Sequence, residues 1–226
     1  MPLLSVIIPV YNEESTVEKI VNRIDSIAID KEIIIVNDAS IDRTPEILKK
    51  IQLPNLKLIS HSANCGKGAA FRTGLKHSTG DIVIIQDADL EYDPQDYLKL
   101  LLPVTNNQAD LVLGVRFIKG YKGLLAHRLG NRFLTGFLNI LYGSHLNDVY
   151  TCYKAARRET FINFNLKSND FALEQEIIAK ALRMKLRISE VPISYYPRSY
   201  AQGKKIRYHD AFKVIIQMLR LRFTRE

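Results

Sequence analysis

Three carboxylates stand within five residues at Asp87, Asp89 and Glu91, directly after the apolar run Ile82-Val83-Ile84-Ile85 and just before Asp93-Pro94. Acids two residues apart converge where the backbone turns at a strand end. Oxygen ligands of this kind suit Mg²⁺ or Mn²⁺, which keep open positions for substrate phosphates. An isolated Asp-x-Asp more often caps a helix or solvates a loop; the strand-end position is what favours the metal reading. Other apolar runs also end in polar or glycine-rich groups: Pro9-Val10-Tyr11-Asn12-Glu13, Asn37-Asp38-Ala39-Ser40-Ile41-Asp42, then Asn64, Gly66, Lys67 and Gly68, and Gly114-Val115-Arg116. The glycines match neither the dinucleotide fingerprint nor a Walker loop. They admit two readings, a helix N-terminus facing a phosphate or a tight strand-to-helix turn. His61, His77, His127, His145 and His209 lack metal-ligand spacing, and Cys65 and Cys152 read as small packing residues.

These groups need a scaffold that brings strand ends together. Short β-branched runs at Leu4–Val10, Glu32–Val36, Leu56–Ser60, Asp81–Gln86 and Asp110–Val115 alternate with helical spacing such as Val17, Ile20, Val21, Ile24 and Ile27. Thr44-Pro45 and Asp93-Pro94 each place a capping side chain before a proline at a helix start. Near-continuous apolar strands alternating with helices predict an α/β sandwich with a mainly parallel sheet, whose ligands lie beyond the carboxyl ends of the strands. No linker or repeat divides the 226 residues, so a single domain is expected. After Gly114 the pattern changes to a basic helical region at Gly123–Gly143, a helix at Asp170–Leu182, a strand at Arg187–Tyr195, a basic loop at Pro197–Arg207 and an amphipathic helix at Asp210–Phe223.

Charge divides along the same boundary. The first 113 residues carry 11 basic and 16 acidic side chains, net −5; the remainder carries 21 and 8, net +13. Such asymmetry suggests different partners for the two halves. Leu124–Leu146 is too often interrupted, by His127, Arg128, Asn131 and Arg132, to span a bilayer. Met1-Pro2-Leu3-Leu4 lacks a positive leader, so the expected compartment is the cytosol. Nucleic acid is not expected as a partner, since neither a basic–aromatic stacking motif nor a helix-turn-helix signature is present.

Together these segments resemble family 2 glycosyltransferases, in particular the dolichol-phosphate mannose synthase and polyprenyl-phosphate glycosyltransferase branch. The resemblance runs through Val6 to Glu13, Ile35 to Thr44, Asn64 to Gly74, Gln86 to Pro94, Asp148 to Lys154, Phe171 to Glu176 and Glu190 to Ile206. It implies a GT-A fold, a Rossmann-like three-layer sandwich, with a nucleotide-binding half (1–113) and an acceptor-binding half (114–226). Pro9, Tyr11, Glu13, Asp38, Lys67 and Asp87 are the implied nucleotide-binding residues. Asp87, Asp89 and Glu91 are the implied ligands of Mg²⁺ or Mn²⁺. Asp89, Arg116, Arg198, Lys204 and Lys205 are the implied catalytic residues, and Arg116, Arg128, Arg132, Asp148 and Glu174 the implied acceptor site. Two departures are visible: the usual Asp-Asp pair is Asn37-Asp38, and Glu91 stands where glutamine is common.

The implied reaction is inverting sugar transfer from a nucleotide-diphosphate sugar, guanosine-diphosphate mannose first and uridine-diphosphate glucose or N-acetylglucosamine next, to a polyprenyl phosphate. Many relatives carry C-terminal membrane helices, and none is found before Glu226. Attachment is therefore expected to be peripheral, on the cytoplasmic face, made directly with the membrane surface or through a membrane-anchoring partner protein. Two rivals stand beside this reading. A sugar or protein hydroxyl acceptor would need a general base, for which Asp148 and Glu174 are the candidates. A non-enzymatic basic membrane- or nucleic-acid-binding module would use only the positive half.

Overall fold

Seven strands, β1 (Leu4–Val10), β2 (Lys31–Asn37), β3 (Leu56–Ser60), β4 (Ile82–Ile85), β5 (Leu111–Val115), β6 (Lys154–Arg157) and β7 (Ile188–Pro192), form one sheet in the order β3-β2-β1-β4-β6-β5-β7. The computed structural model describes residues 2–116, 125–170, 172–198 and 210–223. All neighbouring strands run parallel except at β6, which is antiparallel to both β4 and β5. The order in which the chain lays down parallel strands reverses beside β1, with β2 on one side and β4 on the other, and that switch point is where an open α/β sheet leaves a crevice.

The helices are α1 (Val17–Asp25), α2 (Thr44–Lys50), α3 (Lys67–His77), α4 (Tyr97–Thr105), α5 (Leu125–Tyr142), α6 (Arg158–Asn163), α7 (Leu173–Arg183) and α8 (Asp210–Phe223). Strands β1, β4 and β5 are buried almost throughout, as expected where helices cover both faces of a sheet. Helix α1 buries Val17, Ile20, Val21 and Ile24, the i, i+3, i+4, i+7 stripe visible in the sequence. At Gly74 in α3 an added Cβ would stand 2.4 Å from Ile7 Cγ2, so this glycine sets the close approach of helix to sheet.

The predicted first five strands, α7 and α8 fall where expected. Strand β6 was not anticipated. One predicted cap needs correction: Asp93 does accept from the Gln95 amide, but Thr44 does not cap its own helix. Asp42 accepts from the Thr44 amide instead, which frees the Thr44 hydroxyl to accept from the Glu13 amide and join the β1 and β2 loops.

Candidate active site at the strand ends

The loop after β4 turns sharply at Leu90. Leu90 adopts a left-handed backbone with φ 64°, an arrangement costing a non-glycine residue about 1–2 kcal/mol. That turn lets Asp89 accept from the Glu91 amide at 3.0 Å and folds the Glu91 side chain back beside it. Glu13, from the end of β1, completes a group of three carboxylates around one cation, the guanidinium of Arg198. Its Nη2 lies 2.9 Å from Asp89, its Nη1 3.2 Å from Glu13 and its Nε 3.8 Å from Glu91. The Arg198 amide and the Tyr195 hydroxyl both donate to Glu91, at 2.8 and 2.7 Å. A cleft of about 640 Å³ opens here, lined by Ser15, Thr16 and Lys19 as well as Asp89, Leu90 and Arg198.

Burial raises the Asp89 carboxyl to about 7, the charges of Asp87 and Glu91 push in the same direction, and Arg198 opposes them. Asp87 is displaced the other way. Burial disfavours its charge, but Lys67 at 2.7 Å and, less strongly, Arg198 hold it below the usual carboxylate range. Lys67 also pairs with Glu174 at 2.9 Å, and Glu174 in turn holds the fully buried Lys154. Positive and negative groups thus alternate from the buried start of β6 to the loop after β4. Charges in this setting persist because each has a hydrogen-bonded opposite.

A second cluster fixes the loop after β2. Asp38 is buried and accepts from His61 Nδ1 at 2.7 Å, from the Cys65 amide at 2.9 Å and from the Gly66 amide at 2.7 Å. Asn37, standing where an acid is usual, accepts from the Ser40 amide, and Ser40 in turn accepts from the Asn12 amide. The departure to asparagine is therefore met by a neutral loop contact that needs only an amide oxygen.

On the β5 side, Arg116 and Asp148 form a bidentate pair with both nitrogen–oxygen distances at 2.8 Å, and Asp148 also accepts from the Arg116 amide. The pair is buried, and the guanidinium lies 5.2 Å from the centre of the Tyr195 ring. Tyr195 therefore links Arg116 to Glu91.

Several expectations change in this light. Arg116 and Asp148 satisfy each other inside the protein, so neither offers a free group to an acceptor. Glu174 is held by two lysines and Asp148 by Arg116, so the two candidate general bases are both engaged. Lys67 neutralises Asp87 and supports a site carboxylate. The glycine loop is a tight turn: the Gly68 and Ala69 amides at the start of α3 donate to Asn169, and the Gly66 amide to Asp38. An added Cβ at Gly68 would stand 2.1 Å from the Ser168 carbonyl. Cys65 is exposed, not the packing residue expected, whereas Cys152 is buried as expected; His61 is a part-buried histidine engaged at both ring nitrogens. Pro9 and Tyr11 lie at and just past the end of β1. Arg128 is half-buried and Arg132 exposed on α5. Lys204 and Lys205 lie outside the described residues. Sequence reasoning assigned no role to Tyr195 and Lys154; the available signal was that both fall inside segments that carry the family resemblance, Lys154 at the end of Asp148–Lys154 and Tyr195 three residues before Arg198.

The model of Glycosyl transferase family 2 matches residues 5–164. A low-salt glycan biosynthesis hexosyltransferase, Agl6, of Haloferax volcanii is 31% identical over 204 residues, covering 87% of this chain and 48% of that protein. The chain thus spans about half the length of that relative. The UDP-N-acetylglucosamine–dolichyl-phosphate N-acetylglucosaminyltransferase of Methanococcus voltae is 29% identical over 97% of this chain and 96% of its own length. A dolichol-phosphate mannosyltransferase of Pyrococcus furiosus is 28% identical, with 89% and 58% covered. Among solved structures, glucosyl-3-phosphoglycerate synthase of Mycobacterium tuberculosis, in complex with Mn²⁺, uridine diphosphate and phosphoglyceric acid, superposes with a TM-score of 0.75 at 22% identity, covering 100% of this chain and 80% of that one.

Proposed function

Since the chain belongs to glycosyl transferase family 2 and is a glycosyltransferase of GT-A type, we propose that it transfers a hexose, with inversion, from a nucleotide-diphosphate sugar to a polyprenyl phosphate. The observation that carries this reading is the convergence of Glu13, Asp89 and Glu91 on one cation at the switch point of the sheet. A site that already holds a guanidinium among three carboxylates has the charge and oxygen donors for a divalent ion. Asp89 and Glu91 would hold Mg²⁺ or Mn²⁺, with Asp87 beside them. The ion, when bound, would stabilise the negative charge of the departing nucleoside diphosphate as a Lewis acid.

The chain's own residues supply the rest. Asp38, Pro9, Tyr11 and Glu13 would bind the nucleoside at the ends of β1 and β2. Lys67 keeps Asp87 ionised, and Tyr195 holds the Glu91 carboxylate in position. Arg198 would turn to the donor phosphates, joined by Lys204 and Lys205, as the family resemblance implies. A lipid phosphate is already anionic and needs positioning more than deprotonation; the engagement of Asp148 and Glu174 with cations supports that acceptor over a hydroxyl. Arg128 and Arg132 are the candidates to meet its phosphate, and the Arg116–Asp148 pair braces Tyr195.

For the donor, UDP-N-acetylglucosamine stands beside guanosine-diphosphate mannose, because the Methanococcus voltae relative, matched over nearly its whole length, bears that donor in its name. Among the described residues no helix is long and apolar enough to cross a membrane. Helix α5 exposes Leu129, Phe133 and Ile140, and α8 exposes Ile216, Leu219 and Phe223. Arg128, Arg132, Arg220 and Arg222 flank these apolar residues. Apolar side chains among arginines suit peripheral contact with an anionic leaflet, the cytoplasmic one, where each basic residue contributes about 1 kcal/mol. The test is a thermal-shift panel of nucleotide sugars with Mn²⁺, followed by partition of radiolabelled product. The true donor stabilises the fold by mass action, and label enters the organic phase. Label confined to the aqueous phase would overturn the lipid acceptor.

A further inference from the structure

Asp38, His61 and Cys65 come from the end of β2, the residue after β3 and the turn into α3. One ligand atom from each lies within 4.8 Å of the other two. The frame around them is fixed by the backbone. The His61 amide donates to Asn37 O at 2.9 Å, and the Cys65 and Gly66 amides hold the two oxygens of Asp38. His61 Nε2 lies 2.9 Å from the Thr73 hydroxyl, a second partner that sets the ring's orientation. The Cys65 thiol, exposed at the mouth of the cluster, contacts only the Ala63 carbonyl at 3.3 Å among the hydrogen bonds described for it.

We infer that these three side chains form a second cation site, selective for a borderline transition ion of the Zn²⁺ class and distinct from the all-oxygen cluster of Asp89 and Glu91. The donor set decides the class. Imidazole, thiolate and carboxylate together suit zinc, whereas Mg²⁺ avoids sulfur. A tetrahedral ion holds nitrogen and oxygen ligands roughly 3.3 Å apart. The 2.7 Å contact between His61 and Asp38 must therefore open by about half an ångström, a small rotation of a half-buried ring. The protonation balance is simple. Without the ion Nδ1 carries the ring proton and donates it to Asp38; as the ion takes the Nδ1 lone pair, that proton passes through solvent to Nε2, where Thr73 accepts it. The thiol proton leaves to solvent as the Cys65 sulfur binds. The fourth position faces solvent. On the reading that Asp38 binds the nucleoside, an ion held there competes with the donor; the binding of the ion does not itself depend on that reading.

Co²⁺ serves as the spectroscopic probe, added to the whole protein without nucleotide. One equivalent should give tetrahedral absorption with a thiolate-to-cobalt charge-transfer band, and Zn²⁺ should displace it while excess Mg²⁺ does not. Cys65→Ser should abolish the charge-transfer band, His61→Gln should weaken binding at least tenfold, and Thr73→Val should weaken it by about tenfold. Asp89→Ala and Cys152→Ser should keep the full spectrum. Absence of the band in the unmodified protein, or its survival in Cys65→Ser of unchanged circular dichroism, overturns the site. In a second arm, Zn²⁺ should weaken binding of uridine or guanosine diphosphate at least tenfold in the unmodified protein and not in Cys65→Ser. Equal nucleotide affinity with and without Zn²⁺, in a protein showing the band, overturns the competition and the placement of the nucleoside on Asp38 but not the ion site.

Discussion

Arg198 supplies the positive charge that Glu13, Asp89 and Glu91 require in this state of the molecule. Arg198→Gln leaves three carboxylates facing one another, so its melting temperature without divalent ions should fall below that of the unmodified protein. Added Mn²⁺ should then raise the melting temperature of the variant more than that of the parent; equal responses would mean that ion and guanidinium do not share these carboxylates. Arg116 answers to a different environment. Asp148 is wholly buried, and removing its partner by Arg116→Met leaves an uncompensated charge, costing roughly 3–5 kcal/mol in urea unfolding. Asp148→Leu in the same chain should recover most of that loss. The carboxylates of the site were legible in the sequence because they follow a recognisable strand directly. Two of the cations that answer them, Lys67 and Arg198, were reached through the family resemblance; Lys154 and the Tyr195 hydroxyl were not, since they join the site only through Glu174 and Glu91, residues distant from them along the chain.

Elements carry a second set of consequences. The start of α3 is closed by the backbone of residues 168–169; Arg72 donates to the Ser168 carbonyl and the Asn169 side chain, and the Ser168 amide donates to Glu176. Gly68→Ala drives a methyl group into a carbonyl that cannot retreat, and should cost about 1–3 kcal/mol. Gly136→Ala on α5 meets no atom within 4 Å and should gain about 0.4–1 kcal/mol by restricting the unfolded chain. Opposite shifts in melting temperature check the pair. If α5 docks on a membrane, Phe133→Glu should weaken co-sedimentation with anionic vesicles at low salt while the fold is kept, because Phe133 is exposed. Apolar periodicity announced β1 to β5, α7 and α8, since burial dictates spacing. It did not announce β6: Lys-Ala-Ala-Arg has little strand character, and its place depends on two neighbouring edges rather than on local preference.

At the scale of the whole molecule, a buried carboxylate ties together the starts of four strands at the end of the sheet remote from the site. Glu32, beneath the N-terminal ends of the strands, accepts from Ser5, Lys57 and the Gly80 amide. Burial opposes its charge, but these bonds outweigh it and hold the carboxyl at about 2. A depressed carboxyl contributes its full stability above its unfolded value near 4.5 and loses it as pH falls towards about 2. Glu32→Gln should therefore melt well below the parent at pH 7, with the gap closing across that acid window; a constant gap would assign the effect to shape rather than charge. The charge asymmetry along the chain does not mark two separable bodies. Strand β6, from the basic half, stands between β4 and β5, and β7 reaches the sheet only through β5. Until residues 154–157 are present, β4 therefore has an open edge made of Ile82, Val83, Ile84 and Ile85, the kind of surface on which chains stack into aggregates. A fragment ending at residue 113 should precipitate where the whole chain stays in solution, so a four-residue antiparallel strand also acts as the molecule's guard against self-association during synthesis.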